Sequence, residues 1–113
     1  MEPEDLSGVW SGTYSCSGTC EGDMEQDAPI SLTITQDGDQ ASYTDGQASY
    51  DGTVCGREFR FSGGFGGTPE DNDTYNESGL FVMDADGING TKNSAWVGPW
   101  CQGRCEDHLS RDP

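Results

Sequence analysis

The chain has 113 residues, enough for one domain, and only 31% of them are hydrophobic. It carries 21 acidic residues against 5 basic ones, a net charge of -16. That balance excludes nucleic acid as a partner, because phosphate binding needs clustered Lys and Arg, and an anionic membrane surface would repel it.

No apolar run is long enough for a spanning helix, so direct membrane insertion is not expected. The opening Met-Glu-Pro-Glu-Asp reads as a mature start from which an export signal has been removed. With 17 glycines and few large apolar residues, packing alone gives a thin core. The 5 cysteines offer covalent support.

Residues 1–5 read as a loose lead-in. From Ser7 to Cys16, Val9, Ser11, Thr13 and Ser15 alternate with Trp10, Gly12, Tyr14 and Cys16. This period of two predicts a first strand with its aromatics on the inner face. Its Trp10-Ser-Gly-Thr-Tyr14 pattern is echoed by Tyr50-Asp-Gly-Thr-Val54 and Ile88-Asn-Gly-Thr-Lys92. A polar loop follows over 17–28.

Pro29 to Gln36 is the clearest strand, with Ile30, Leu32 and Ile34 on one face. Asp37-Gly38 supplies a hairpin turn. Gln40 to Thr44 returns, and Asp45-Gly46 turns again. Ala48 to Val54 is a fourth strand, where Asp51-Gly52 reads as a bulge. Cys55-Gly56 turns into a fifth strand, Glu58 to Ser62. A glycine-rich, then acidic, loop runs from Gly63 to Asp73. Tyr75 to Met83 is a sixth strand, Ile88 to Val97 a seventh, and Trp100 to Arg104 a short eighth. Residues 106–113 read as a second loose terminus. No segment has a 3.6-residue period. The expected fold is therefore all-β: one domain over 1–113, an antiparallel up-and-down meander of about eight strands. A closed barrel is preferred over a sandwich because closure removes exposed edges.

Leu6-Ser-Gly-Val-Trp10 resembles the Gly-x-Trp opening of lipocalin-like (calycin) barrels and the Leu-Ser-Gly-x-Trp start of small bacterial protease-inhibitor barrels. The resemblance, carried by Gly8, Val9 and Trp10, implies a barrel plugged at one end by the tryptophan. It also implies an arginine of the last strand packed over that ring, a position Arg104 could fill.

Cys16 and Cys20 form one C-x-x-x-C, and Cys101 and Cys105 another. In a closed meander the first and last strands adjoin, so both pairs meet at the seam. Disulfides are expected there, with pairing open, and four-thiolate metal binding is the rival. Cys55 falls at the opposite end and reads as a free or intermolecular thiol.

The lone histidine, His108, falls in the expected tail, and no phosphate-binding loop or catalytic triad is legible. The protein is therefore expected not to be an enzyme. Asp84, Asp86 and Asn89 place oxygens at alternating positions, as in part of a calcium loop, but the same Asp-Gly stretch reads more readily as a hairpin turn. The meander carries two acidic loops to one rim: Glu21, Asp23, Glu25 and Asp27 from the first, Glu70, Asp71 and Asp73 from the second.

These features converge on a secreted, periplasmic or cell-surface binding module whose acidic rim meets a protein partner or a cation. No resident cofactor is expected, calcium excepted if the acidic loops hold it. Other expectations are an accessory subunit of an extracytoplasmic assembly, an enzyme inhibitor, or a carrier holding an apolar molecule among Phe59, Phe61, Phe81 and Trp96.

Overall fold

The computed structural model describes residues 2–19, 25–45, 49–66 and 74–113. Eight strands follow in chain order: β1 (Gly8–Gly18), β2 (Glu25–Asp37), β3 (Gln40–Thr44), β4 (Ser49–Cys55), β5 (Glu58–Gly66), β6 (Thr74–Met83), β7 (Asn89–Val97) and β8 (Gln102–Arg111). Each pairs antiparallel with the next, and β8 pairs back onto β1, so the sheet is a closed barrel. Every strand is therefore paired on both sides over at least part of its length.

The short turns between β2 and β3, β4 and β5, and β6 and β7 lie at one end, the floor. Gly38, Gly56 and Gly87 take positive φ there, at 64°, 61° and 72°. The connections β1–β2, β3–β4, β5–β6 and β7–β8 belong to the other end, the mouth.

Alternation decides which side chains fill the barrel. Trp10, Leu32, Ile34, Ala41, Tyr43, Tyr50, Val54, Phe59, Phe61, Phe81, Met83 and Leu109 form one buried cluster with Leu6. A narrow eight-stranded barrel cannot hold a large side chain at every inward position. Large residues therefore face glycines across the strands: Trp96 pairs with Gly103, Phe61 with Gly79 and Tyr50 with Gly63. A Cβ on Gly103 would lie 2.2 Å from the Trp96 ring, and one on Gly79 2.7 Å from Phe61 Cζ. The echoed Gly-Thr pattern has a second cause, backbone crowding. Gly12 and Gly52 sit where a Cβ would meet a neighbouring carbonyl oxygen at 1.9 Å and 1.7 Å, so they mark close strand approach.

Several elements differ from their sequence-based outlines. Asp51-Gly52 is not a bulge, because β4 keeps regular register with both neighbours. The bulge lies in β2 instead. Tyr14 pairs with Ala28 and Cys16 with Glu25, leaving one extra residue on β2, and Asp27 adopts φ 52° there. Its N–H donates to Ser15 Oγ at 3.1 Å.

Neither terminus is loose in the way expected. Residues 106–111 continue β8, because Asp107 and Leu109 turn inward while Glu106, His108 and Ser110 face solvent. The lead-in is a strap across the floor. Glu4 N–H donates to Gly56 O (2.8 Å), Leu6 N–H to Gln36 Oε1 (2.9 Å), and Gln36 Nε2 to Glu4 O (2.8 Å). Leu6 is thereby fully buried, and its carbonyl accepts the Trp10 indole N–H at 2.9 Å.

The arginine over Trp10 is Arg111, not Arg104. Trp10 and Arg111 are direct register partners, whereas Arg104 pairs with Ser17. The Arg111 guanidinium lies 4.8 Å from the indole centroid and donates to Asp5 O at 2.8 Å.

The seam carries a Cys16–Cys105 disulfide between directly opposed residues, Cα–Cα 4.1 Å, closing a separation of 89 residues. On the chain-entropy model such a closure contributes roughly 4–5 kcal/mol. Cys101 is also disulfide-bonded. The metal reading of Cys16 and Cys105 is displaced, because bridged sulfurs are not thiolate ligands.

Candidate functional site

Above the apolar floor the barrel interior changes character. Lys92 lies on β7 and Asp107 opposite it on β8, both inward. Lys92 Nζ stands 3.1 Å from Asp107 Oδ2, with both side chains buried. The approach is that of an ion pair rather than an aligned hydrogen bond. Lys92 also donates to Tyr43 Oη at 3.1 Å and lies 4.8 Å from the Tyr43 ring centroid and 5.7 Å from that of Phe61. On the next inward row, Tyr50 donates to Glu77 Oε1 at 2.5 Å. The Tyr43 and Tyr50 rings stack 4.6 Å apart, joining the two pairs into one cluster.

Burial dominates the titration of this cluster. It holds the Tyr43 and Tyr50 phenols well above their ordinary value, reinforced by the Glu77 carboxylate, so both remain protonated at neutral pH. Burial also raises Asp107, and the adjacent Lys92 ammonium only partly opposes it. Two polar side chains are left incomplete. Asp107 is 1% exposed and Ser94 5% exposed, yet Asp107 Oδ1 and Ser94 Oγ have no hydrogen-bond partner. Ser94 pairs with Cys105 and Lys92 with Asp107, so Ser94 and Asp107 are diagonal neighbours on the inner face.

The mouth presents a different surface. Between β7 and β8, Gly98 N–H donates to Cys101 O at 2.8 Å, leaving Pro99 and Trp100 at the tip. Trp100 is 83% exposed, and the neighbouring Val97 is also exposed. The base of this turn is tied to the end of β1. Thr19 N–H donates to Gln102 O (2.8 Å), and Gln102 N–H to Thr19 Oγ1 (3.0 Å).

Of the expected rim acids, Glu21, Asp23, Glu70, Asp71 and Asp73 lie outside the described residues, as does Cys20. Asp27 is exposed at the bulge, and the backbone of Glu25 starts β2 at the mouth. Cys55 is exposed at the floor end of β4, whereas Cys16, Cys101 and Cys105 lie towards the mouth. Asp86 is a turn residue: its carboxylate accepts the N–H groups of Ile88 (2.8 Å) and Asn89 (3.0 Å) and the Asn89 side-chain amide (2.8 Å). These bonds hold its carboxyl below the ordinary carboxylate value. Asn89 Oδ1 accepts Ser110 Oγ of β8 at 2.8 Å, so the Asp86 and Asn89 oxygens assigned to calcium already have protein partners, and Asp84 beside them is exposed. Among the described residues no group of three or more His, Cys, Asp and Glu side chains gathers as a metal site. His108 is on the outer face of β8, 3.6 Å from Glu106.

Phe59 and Phe81 belong to the floor core, Phe81 meeting Trp10 edge-on at 4.9 Å between centroids. Phe61 and Trp96 share the upper interior with Lys92, Ser94 and Glu77, which sequence reasoning did not select. The signal was present in β7, where Gly90, Lys92, Ser94 and Trp96 share one parity and Trp96 marks it as inward. No family model matches the chain, and a search of curated proteins returns no similar sequence.

Proposed function

We propose that this protein is a secreted, non-catalytic binding barrel that takes a basic protein partner at its mouth. The observation that carries the reading is Trp100, an exposed indole on a turn whose base is held by hydrogen bonds between Gln102 and Thr19 and by the Cys101 disulfide. A solvent-facing tryptophan on a tethered turn is the residue type most enriched at interface hot spots. The net charge of -16 selects the partner's sign: it steers a cationic surface and repels an anionic one. The disulfides are compatible with an extracytoplasmic location. Calycin kinship fits the Trp10 plug and its Arg111 cover, and an inhibitor role is the form of protein binding that the resemblance of Gly8-Val9-Trp10 implies.

The test is affinity capture from the extracellular fraction of the native culture, with the wild-type chain and Trp100→Ala immobilised side by side. The reading expects a protein of high isoelectric point that is released by salt and lost on Trp100→Ala. Equal retention by both chains, or an acidic partner, overturns it.

A further inference from the structure

We propose that the outer face of the barrel binds an elongated organic dianion, two carboxylate-type groups joined by an uncharged body, in a groove walled by Arg60 and Arg104.

An open groove of about 630 Å³ crosses β5 to β8 on the outside of the sheet. Strand alternation builds it from outward-facing residues. Arg60, Leu80 and Asn93 form one row of register partners, and Ser78, Ala95 and Arg104 form the next. The two arginines are exposed at opposite sides, and the four residues between them carry no charge. Leu80 and Ala95 give the base of the groove apolar surface, while Ser78 and Asn93 bring a hydroxyl and an amide.

The positive charges of this groove are not neutralised by the chain itself. Lys92 is paired with Asp107, Arg111 covers Trp10, and Arg57 stands in the β4–β5 turn at the floor. Among the described residues Arg60 and Arg104 have neither an ion pair nor a side-chain hydrogen bond, in a chain with 21 acidic residues. Glu58 and Glu106 lie two positions away on the same strands and the same face, yet neither bridges to them. A guanidinium fork matches a carboxylate through two parallel hydrogen bonds. The arginines stand three strand spacings and two residues apart, about 14 Å measured across the sheet and about 7 Å along it. One carboxylate per fork, on a ligand long enough to cross the groove, is the arrangement that engages both. The net charge of -16 opposes an anion from afar. At physiological salt that repulsion is screened beyond about 8 Å, and no acidic residue lines the groove.

The proposal is tested by titrating the full-length oxidised protein with suberate, octanoate and cadaverine, each at constant ionic strength. The readout is the pair of Arg60 and Arg104 Nε–H resonances. Suberate, a dicarboxylate, should shift both saturably. Octanoate, with one carboxylate on the same body, should bind about fivefold more weakly, and cadaverine, a dication, should shift neither. Arg60→Gln and Arg104→Gln should each weaken suberate about fivefold, the upper end for an exposed ion pair. Both side chains are exposed and unpartnered, so these variants should keep the wild-type unfolding curve. Arg57→Gln removes the same charge at the floor and should leave suberate binding unchanged. Trp100→Ala should also leave it unchanged, which separates this site from the mouth. No saturable shift, a shift at one arginine only, equal affinity for octanoate, or equal weakening by Arg57→Gln would overturn it.

Discussion

At the floor, Leu6, Trp10 and Phe81 are buried with the indole N–H, the strap and Gln36 all hydrogen-bonded; Arg111 Nε alone lacks a partner, and its guanidinium covers the Trp10 ring. In the upper interior, Asp107 is buried just as deeply, beside a lysine and a second carboxylate, with one oxygen unengaged. The same barrel thus holds a region optimised for closure and one that is not. The difference is instructive because satisfied apolar packing accounts for the fold, while an incomplete buried polar cluster stabilises nothing by itself. Each substitution below acts on one side of that contrast.

The largest effect is expected at the floor. Trp10→Ala removes a fully buried indole, its edge contact with Phe81, its cover by Arg111 and the bond to Leu6 O. Urea unfolding should report a loss of about 5 kcal/mol, the upper end for such truncations. A loss near 1 kcal/mol would mean the floor does not carry the fold.

In the upper interior the expectation depends on how many charges are removed. Lys92→Met leaves two carboxylates without their cation and should cost about 3 kcal/mol, moderated because Asp107 can take up a proton. Lys92→Met combined with Asp107→Leu removes the charge pair and should return within about 1 kcal/mol of wild type. Additive losses would contradict the view that this pair is not there for stability.

The same carboxylate predicts a pH dependence. Burial raises Asp107 above its ordinary value of 3.8, so the folded chain binds this proton more tightly than the unfolded one. Its contribution is fully present below the unfolded value and is lost as pH rises through the folded one. As pH rises above about 4, wild-type stability should therefore fall more steeply than that of Asp107→Asn. The self-repulsion of the acidic chain is nearly common to both and largely cancels in the difference. Parallel slopes would show that Asp107 does not titrate in that range.

A smaller effect tests the interior's large-small alternation. A Cβ on Gly79 would lie 2.3 Å from Asn93 O and 2.7 Å from Phe61 Cζ, and neither the strand nor the ring can withdraw freely. Gly79→Ala should destabilise by about 2 kcal/mol.

How much of this was legible follows the same divide. Strands with apolar alternation, such as Ile30, Leu32 and Ile34, were readable, and so were the Asp37-Gly38 and Asp86-Gly87 turns and the seam that joins Cys16 to Cys105. What failed had polar residues facing inward. Glu106-Asp-His-Leu-Ser-Arg111 looks like a solvated tail because Asp107 and Arg111 share the inward parity with a single apolar residue, Leu109. Lys92 and Ser94 face in while Ala95 and Val97 face out, the reverse of what hydropathy alone suggests. A buried charge becomes intelligible only with its partner, and Lys92 and Asp107 are brought together by a pairing that neither strand encodes alone. Arg111 was missed for the same reason: choosing the arginine over Trp10 requires the β1–β8 register.

The smallest expected effect is on the mouth, and its smallness is informative. Trp100 is 83% exposed, and the bonds that fix its turn run through Gly98, Cys101, Thr19 and Gln102 rather than through the indole. Removing the side chain therefore leaves no cavity and no unpaired buried group. Trp100→Ala should change unfolding stability by less than about 0.5 kcal/mol. Such neutrality would make any loss of partner capture by this variant a loss of contact, not of fold. A drop of 2 kcal/mol or more would instead make the indole part of the barrel's own packing, and the contrast between a self-sufficient floor and an outward-facing mouth would fail at its clearest point.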